Sequence, residues 1–223
     1  GAGNLSQLLS QQELLQWFDP RPIGFSSLTS YRSSGDWRQL ATVYGALDDF
    51  SYALDGSYVS QHGQEINDWL ERTDYSLQLK QRVNARDEVY FQAGFAESDS
   101  GDVARHYDPA QAHRGLRVSE EQSPNLVAGW HRAWSPANHT LLLASRWRDD
   151  FTLRDPEMSV FHVQPDVAGA ARISMPAGGY GAKFASDFTL YSLELQQLWQ
   201  SERQTVIAGG RLHSGQVESS GTL

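Results

Sequence analysis

The sequence contains no cysteine. That removes two classes at once, since no disulfide framework can staple a small fold and no thiolate can hold a metal. No run comes near the roughly 18 apolar residues that a membrane-crossing helix needs, which excludes a helical membrane protein. Strands are a different matter, because they cross with about 9 to 11 residues of which every second one is apolar. A mean hydropathy of −0.51 is compatible with that arrangement. Cationic surplus is lacking as well: 18 Lys and Arg stand against 27 Asp and Glu, a formal charge of −9. A nucleic-acid surface needs clustered Lys and Arg to displace counterions, so nucleic acid is not an expected partner. The first residues, GAGNLSQLLSQQ, carry neither the charged nor the continuous apolar region of a signal peptide.

Catalytic signatures are also missing. Neither G-x-S-x-G nor H-E-x-x-H occurs. Gly178-Gly179-Tyr180-Gly181 has no preceding strand, following helix or lysine to make it a phosphate cradle. His106 and His113 lie among Asp99, Asp102 and Asp108, but at no spacing of a known ligand rule. Asp99-Ser100-Gly101-Asp102 lacks the oxygen series and closing glutamate of a calcium loop. The reading is therefore a protein that is not an enzyme and carries neither cofactor nor metal.

What the sequence does have is aromatic residues, glycine and a period of two. Seven Trp, nine Tyr, nine Phe and 19 Gly favour strands and tight turns over helical bundles. Over Tyr75 to Glu97, Tyr75, Leu77, Leu79 and Val83 alternate with Ser76, Gln78, Lys80 and Arg82. After the turn Asn84–Asp87 the alternation resumes with Val89, Phe91, Ala93 and Phe95. This predicts a hairpin with one apolar and one polar face. Similar runs predict strands over 23–32, 37–47, 50–58, 124–134, 139–148, 187–200 and 205–213. In the 139–148 segment the pattern sets Leu141, Leu143 and Trp147 on the apolar side and Thr140, Arg146 and Arg148 on the other. Residues 158–164, MSVFHVQ, are read as a short extra strand. Leu5, Leu8, Leu9 and Leu15 stand near helical spacing and predict one short N-terminal helix, ended by Asp19-Pro20-Arg21-Pro22. The chain thus divides into a helix and linker over 1–22 and a β-segment of about nine to ten strands over 23–223.

Short and long connections alternate from Leu47 onward: 48–49, 84–87, 135–138 and 201–204 are short, whereas 61–72, 99–123 and 149–186 are long. An up-and-down antiparallel barrel has short turns at one rim and long loops at the other. The repeated unit of alternating strand, short polar turn, alternating strand and long loop appears in LQLKQRVNARDEVYFQAGFAESDSGD and LELQQLWQSERQTVIAGGRLHSG. It resembles the barrel portion of TonB-dependent-receptor-type outer-membrane proteins, over roughly 23–216. No plug domain and no TonB-box-like segment accompanies it.

The resemblance implies an all-β fold, an up-and-down antiparallel transmembrane β-barrel or part of one, in the bacterial outer membrane. It implies solute binding or passage, with lipid and an unidentified small-molecule solute as partners and, at its furthest reach, an inner-membrane energy-coupling protein. Lys80, Arg82, Arg146, Arg148, Glu194, Gln196 and Arg211 are then candidates for the lumen wall. Tyr44, Tyr52, Tyr58, Trp130, Trp134, Trp147 and Trp199 lie near strand ends and are candidates for the interfacial aromatic girdles. The alternative is a soluble extracellular β-sandwich that binds carbohydrate through exposed aromatics such as Tyr107, Trp147 and Tyr180. Alternation alone does not distinguish the two, because they invert which face of the sheet is outside.

Overall fold

The structure is a computed structural model that describes residues 23–104, 106, 108, 111–158, 162–165, 171–174 and 179–223. The helix expected at 4–17 and the linker to residue 22 lie outside the described residues. Nine strands form one sheet, each antiparallel to the next: β1 (Gly24–Tyr31), β2 (Trp37–Leu47), β3 (Phe50–Gln61), β4 (Leu70–Arg82), β5 (Asp87–Ser100), β6 (Arg117–Ser135), β7 (Asn138–Met158), β10 (Tyr180–Gln200) and β11 (Thr205–Thr222). A separate hairpin, β8 (His162–Pro165) and β9 (Ala171–Ser174), sits within the connection from β7 to β10. The expected all-β, up-and-down antiparallel order is present. The sheet is not closed into a barrel: β1 and β11 are its two open edges.

The short turns are fixed by their own side chains. Asn84 Oδ1 accepts the backbone N–H groups of Arg86 and Asp87 at 2.8 and 3.0 Å, an Asx turn. Ser135 Oγ accepts from Ala137 N–H, and Ser201 Oγ from Gln204 N–H. In the two-residue turn between β2 and β3, Asp48 adopts φ 49°, a left-handed conformation that aspartate tolerates better than most residues.

Cross-strand register sorts the side chains into two faces, because directly paired residues point the same way. One row runs Tyr52, Leu79, Phe91, Ala128, Ala144, Leu193 and Leu212 across the seven strands of this sheet from β3 to β11, and every member is apolar or aromatic. The opposite face carries the row Lys80, Tyr90, Gly129, Leu143, Glu194 and Arg211. The hairpin expected over Tyr75 to Glu97 has its predicted faces, with Tyr75 stacked on Phe95 at 6.3 Å. The 139–148 segment does not. Leu142 and Ala144 pair into the apolar rows, which turns Leu141, Leu143 and Trp147 to the polar face. The run Leu141-Leu142-Leu143-Ala144 is apolar on both sides, so its own period could not choose between them.

Most strands extend further toward the long loops than expected. β4 starts at Leu70, β6 at Arg117 and β10 at Tyr180, while β7 continues to Met158 and β11 to Thr222. Beyond the apolar rows charged residues occur on both faces, as at Glu120 and Glu121 or Asp149 and Asp150, and alternation can no longer signal a strand there. The 21 residues of β7 and of β10 each reach about 70 Å along the strand.

Almost nothing is buried. Among the described residues the buried apolar side chains are Ala53 and Ala182, and no large side chain is fully enclosed. A compact monomer of 24.9 kDa would expose about 10,000 Å². This chain exposes 15,713 Å².

Candidate functional site on the concave polar face

The polar face curves inward. Lys80 on β4 and Glu194 on β10 stand four strand spacings apart, about 19 Å on a flat sheet. Both nevertheless line a single hollow of about 480 Å³, together with Tyr90, Gly129, His131, Leu141 and Leu143 among others. A smaller hollow of about 180 Å³ continues it toward β2, past Tyr44, Ser51 and Gln78.

Its charges come in pairs. Lys80 Nζ lies 3.0 Å from Glu88 Oε2, and Arg82 reaches both Asp49 at 3.2 Å and Glu88 at 3.8 Å. On the far wall Arg211 Nε donates to Glu194 Oε2 at 2.6 Å, and Gln196 Nε2 donates to Glu194 Oε1. Next to Glu88, the His131 and His139 rings stack at 5.2 Å, with His131 Nε2 and His139 Nδ1 3.0 Å apart.

The seven polar residues singled out by sequence divide. Lys80, Arg82, Glu194, Gln196 and Arg211 share the concave face, and all but Arg82 and Arg211 line the larger hollow. Arg146 and Arg148 lie on the other side of the sheet: Arg146 pairs with Leu126 and Tyr191, and Arg148 with Thr189. The aromatic candidates divide too. Tyr52, Tyr58, Trp130 and Trp199 pair into the apolar face, where Trp134 donates its indole N–H to Thr140 Oγ1 at 2.9 Å under the Arg132 guanidinium. Tyr44 and Trp147 belong to the polar face. Tyr107 lies outside the described residues.

Sequence reasoning missed Tyr90, Glu88, Gly129 and His131. The first two were within reach: counting back from the 84–87 turn pairs Lys80 with Tyr90 and Arg82 with Glu88. Gly129 and His131 arrive through β5–β6 pairing across a long loop and a register shift at 94/96, which no local pattern encodes.

Past the apolar rows, toward the long loops, the apolar face ends in acid. Glu97, Glu121, Asp150, Asp187 and Glu218 are direct neighbours on five consecutive strands. Arg148 bridges Asp150 at 3.1 Å and Asp187 at 3.8 Å. A hydrogen bond shared with the Asp150 carboxyl raises the Asp187 pKa, and the charge of Glu218 adds to it.

A second polar cluster ties the loops of that end together. Asn67, at φ 63°, donates to the carbonyls of His113 and Leu116 and accepts from Arg117 and Trp69 Nε1. His106 Nε2 lies 2.7 Å from buried Asp102, and His113 Nδ1 lies 2.6 Å from buried Asp155. Burial pushes the Asp102 carboxyl up, but the His113 N–H, the His106 ring and the Ala104 N–H together hold it below its ordinary value. Among the described residues no group of three or more His, Asp or Glu is placed to hold a metal.

Among the described residues, the fold and the site define a curved antiparallel sheet with no further element packed on its apolar back and with a hollow polar front. No protein-family model matches the chain, and no curated protein matches it. The likeness to TonB-dependent-receptor barrels therefore rests on the sequence pattern.

Proposed function

We propose that this chain forms part of the wall of a transmembrane β-barrel in a bacterial outer membrane, with its apolar face against lipid and its concave face along a path for a small solute. The observation that carries this reading is the seven-strand apolar row, with no large side chain fully buried among the described residues. A water-soluble protein rarely leaves so large a contiguous apolar face uncovered. Lipid covers such a face along its whole length.

The borders of the face support the same reading. Trp130, Trp134 and Trp199 gather near the short turns, and Tyr58, Tyr75, Phe95 and Tyr191 lie toward the long loops. Aromatic residues favour both interfaces of a bilayer. Next comes the acidic row, which belongs in water. In this arrangement Lys80, Arg82, Glu194, Gln196 and Arg211 face the solute path. Receptor-like uptake driven from the inner membrane is the extended form of the proposal, and it draws on the sequence resemblance alone.

Detergent extraction and heat-modifiable gel migration test the reading. A folded protein that requires detergent and migrates differently before and after boiling is expected. A monodisperse monomer in plain buffer with native tryptophan fluorescence would overturn it and favour a soluble sheet protein.

A further inference from the structure

We propose that the hollow over Gly129 binds a small uncharged saccharide, of one or two rings. The inference rests on reading the concave face as a solute path. The row Lys80, Tyr90, Gly129, Leu143, Glu194 and Arg211 crosses six strands, and its one member without a side chain lies between Tyr90 and Leu143. A Cβ on Gly129 would stand 3.5 Å from Leu143 Cδ1 and 3.6 Å from Tyr90 Cβ, so any larger side chain would fill the notch. The hollow, about 480 Å³, lies within the usual range for small-molecule sites.

The chemistry of its walls selects the class of solute. Leu141 and Leu143 form an aliphatic ledge on a face otherwise rich in polar groups. Glu88, His131 and Lys80 flank the ledge on one side, and Glu194 and Gln196 on the other. Each formal charge is already matched, Lys80 by Glu88 and Glu194 by Arg211. A charged solute would have to break one of these pairs. A pure hydrocarbon would displace water from both flanks and leave their donors and acceptors unmatched, which costs affinity. A sugar ring meets both demands: its C–H faces suit the leucine ledge, and its hydroxyl groups reach the flanks while adding no charge.

Protein folded in detergent is titrated with maltose, glucuronic acid and benzyl alcohol, and binding is read by calorimetry. Saturable maltose binding is expected, tighter than either other probe and weakened about tenfold or more by Gly129→Leu. Gly210→Ala, whose new methyl group meets nothing within 4 Å, leaves binding unchanged. Should Gly129→Leu not fold, Gln196→Ala carries the test, and maltose affinity must fall. Absence of saturable maltose binding to the folded protein, tighter binding of glucuronic acid or benzyl alcohol, or unchanged affinity in the folded Gly129→Leu protein or in Gln196→Ala overturns the proposal. Heat-modifiable migration is scored separately. Loss of that signal with maltose binding intact would refute the membrane path and leave the sugar site standing.

Discussion

Replacing Leu195 by arginine separates a lipid-facing sheet from a water-facing one. Leu195 pairs with Leu142 and Gly210 on the apolar face, and its side chain is half exposed. It lies midway between Tyr191 and Trp199, eight residue steps that cover about 26 Å along the strand. At the tilt of about 40° found in outer-membrane barrels this becomes roughly 20 Å across the bilayer, close to the height of their apolar band. Leu195 would then sit near the midplane, where an arginine on the lipid face costs about 2–4 kcal/mol. That is a change of about 30- to 700-fold in the folding equilibrium. On a water-exposed sheet the same change would stay within about 0.5 kcal/mol. Thr189→Arg is the matched control, since Thr189 shares the face but lies past Tyr191 on the way to the acidic row. The assay is denaturant-induced unfolding from phospholipid vesicles, followed by tryptophan fluorescence. Equal effects of the two substitutions, both below about 0.5 kcal/mol, would refute the assignment of this face to lipid.

Three further outcomes are expected. Asp102→Ala strips the acceptor from the N–H groups of His113 and Ala104 and should loosen the backbone at those two residues by about 1–3 kcal/mol, seen as faster exchange of their amides. Because the folded-state pKa of Asp102 lies below its ordinary value, its contribution is complete above the usual carboxylate range and fades as pH falls through the lowered value, so the protection of these amides, measured against the intrinsic exchange rate at each pH, should fall in acid. Asp187 has the opposite sign: its raised pKa means that the folded protein holds an extra proton, so stability grows as pH falls from the raised value toward the ordinary one, and Asp187→Asn should flatten that part of the pH profile of unfolding. Gly101→Ala would set a methyl group 2.0 Å from the Asn67 carbonyl oxygen and should destabilise by about 1–3 kcal/mol or more in thermal unfolding, unlike Gly210→Ala.

The legible part of the fold was the part with contrast between its faces. Tyr75 to Leu79 and Val89 to Phe95 announce a hairpin because one side is apolar and the other polar, and both faces are as expected. Such contrast is missing from 117–123 and 149–158, where charged residues occupy both sides, and the strands there were hidden inside apparent loops. Leu141 to Ala144 failed for the converse reason, being apolar on both sides. For the site, alternation marked Lys80, Glu194, Gln196 and Arg211 as polar-face residues. The assembly of Lys80, Glu194 and Gln196 into one hollow depends on curvature and on pairings such as that of β5 with β6, distant in sequence, which no single strand records.

Parity sets a condition on closing this sheet. A ring whose neighbours are all antiparallel reverses direction at every step and must contain an even number of strands. This sheet has nine, so β1 and β11 rise in the same sense, from the short turns toward the long loops. They cannot be joined to each other by an antiparallel ladder, and two copies meeting edge to edge around a common axis would have parallel seams. Antiparallel closure takes an odd number of intervening strands, running between an edge of 18 residues at β11 and one of 8 at β1.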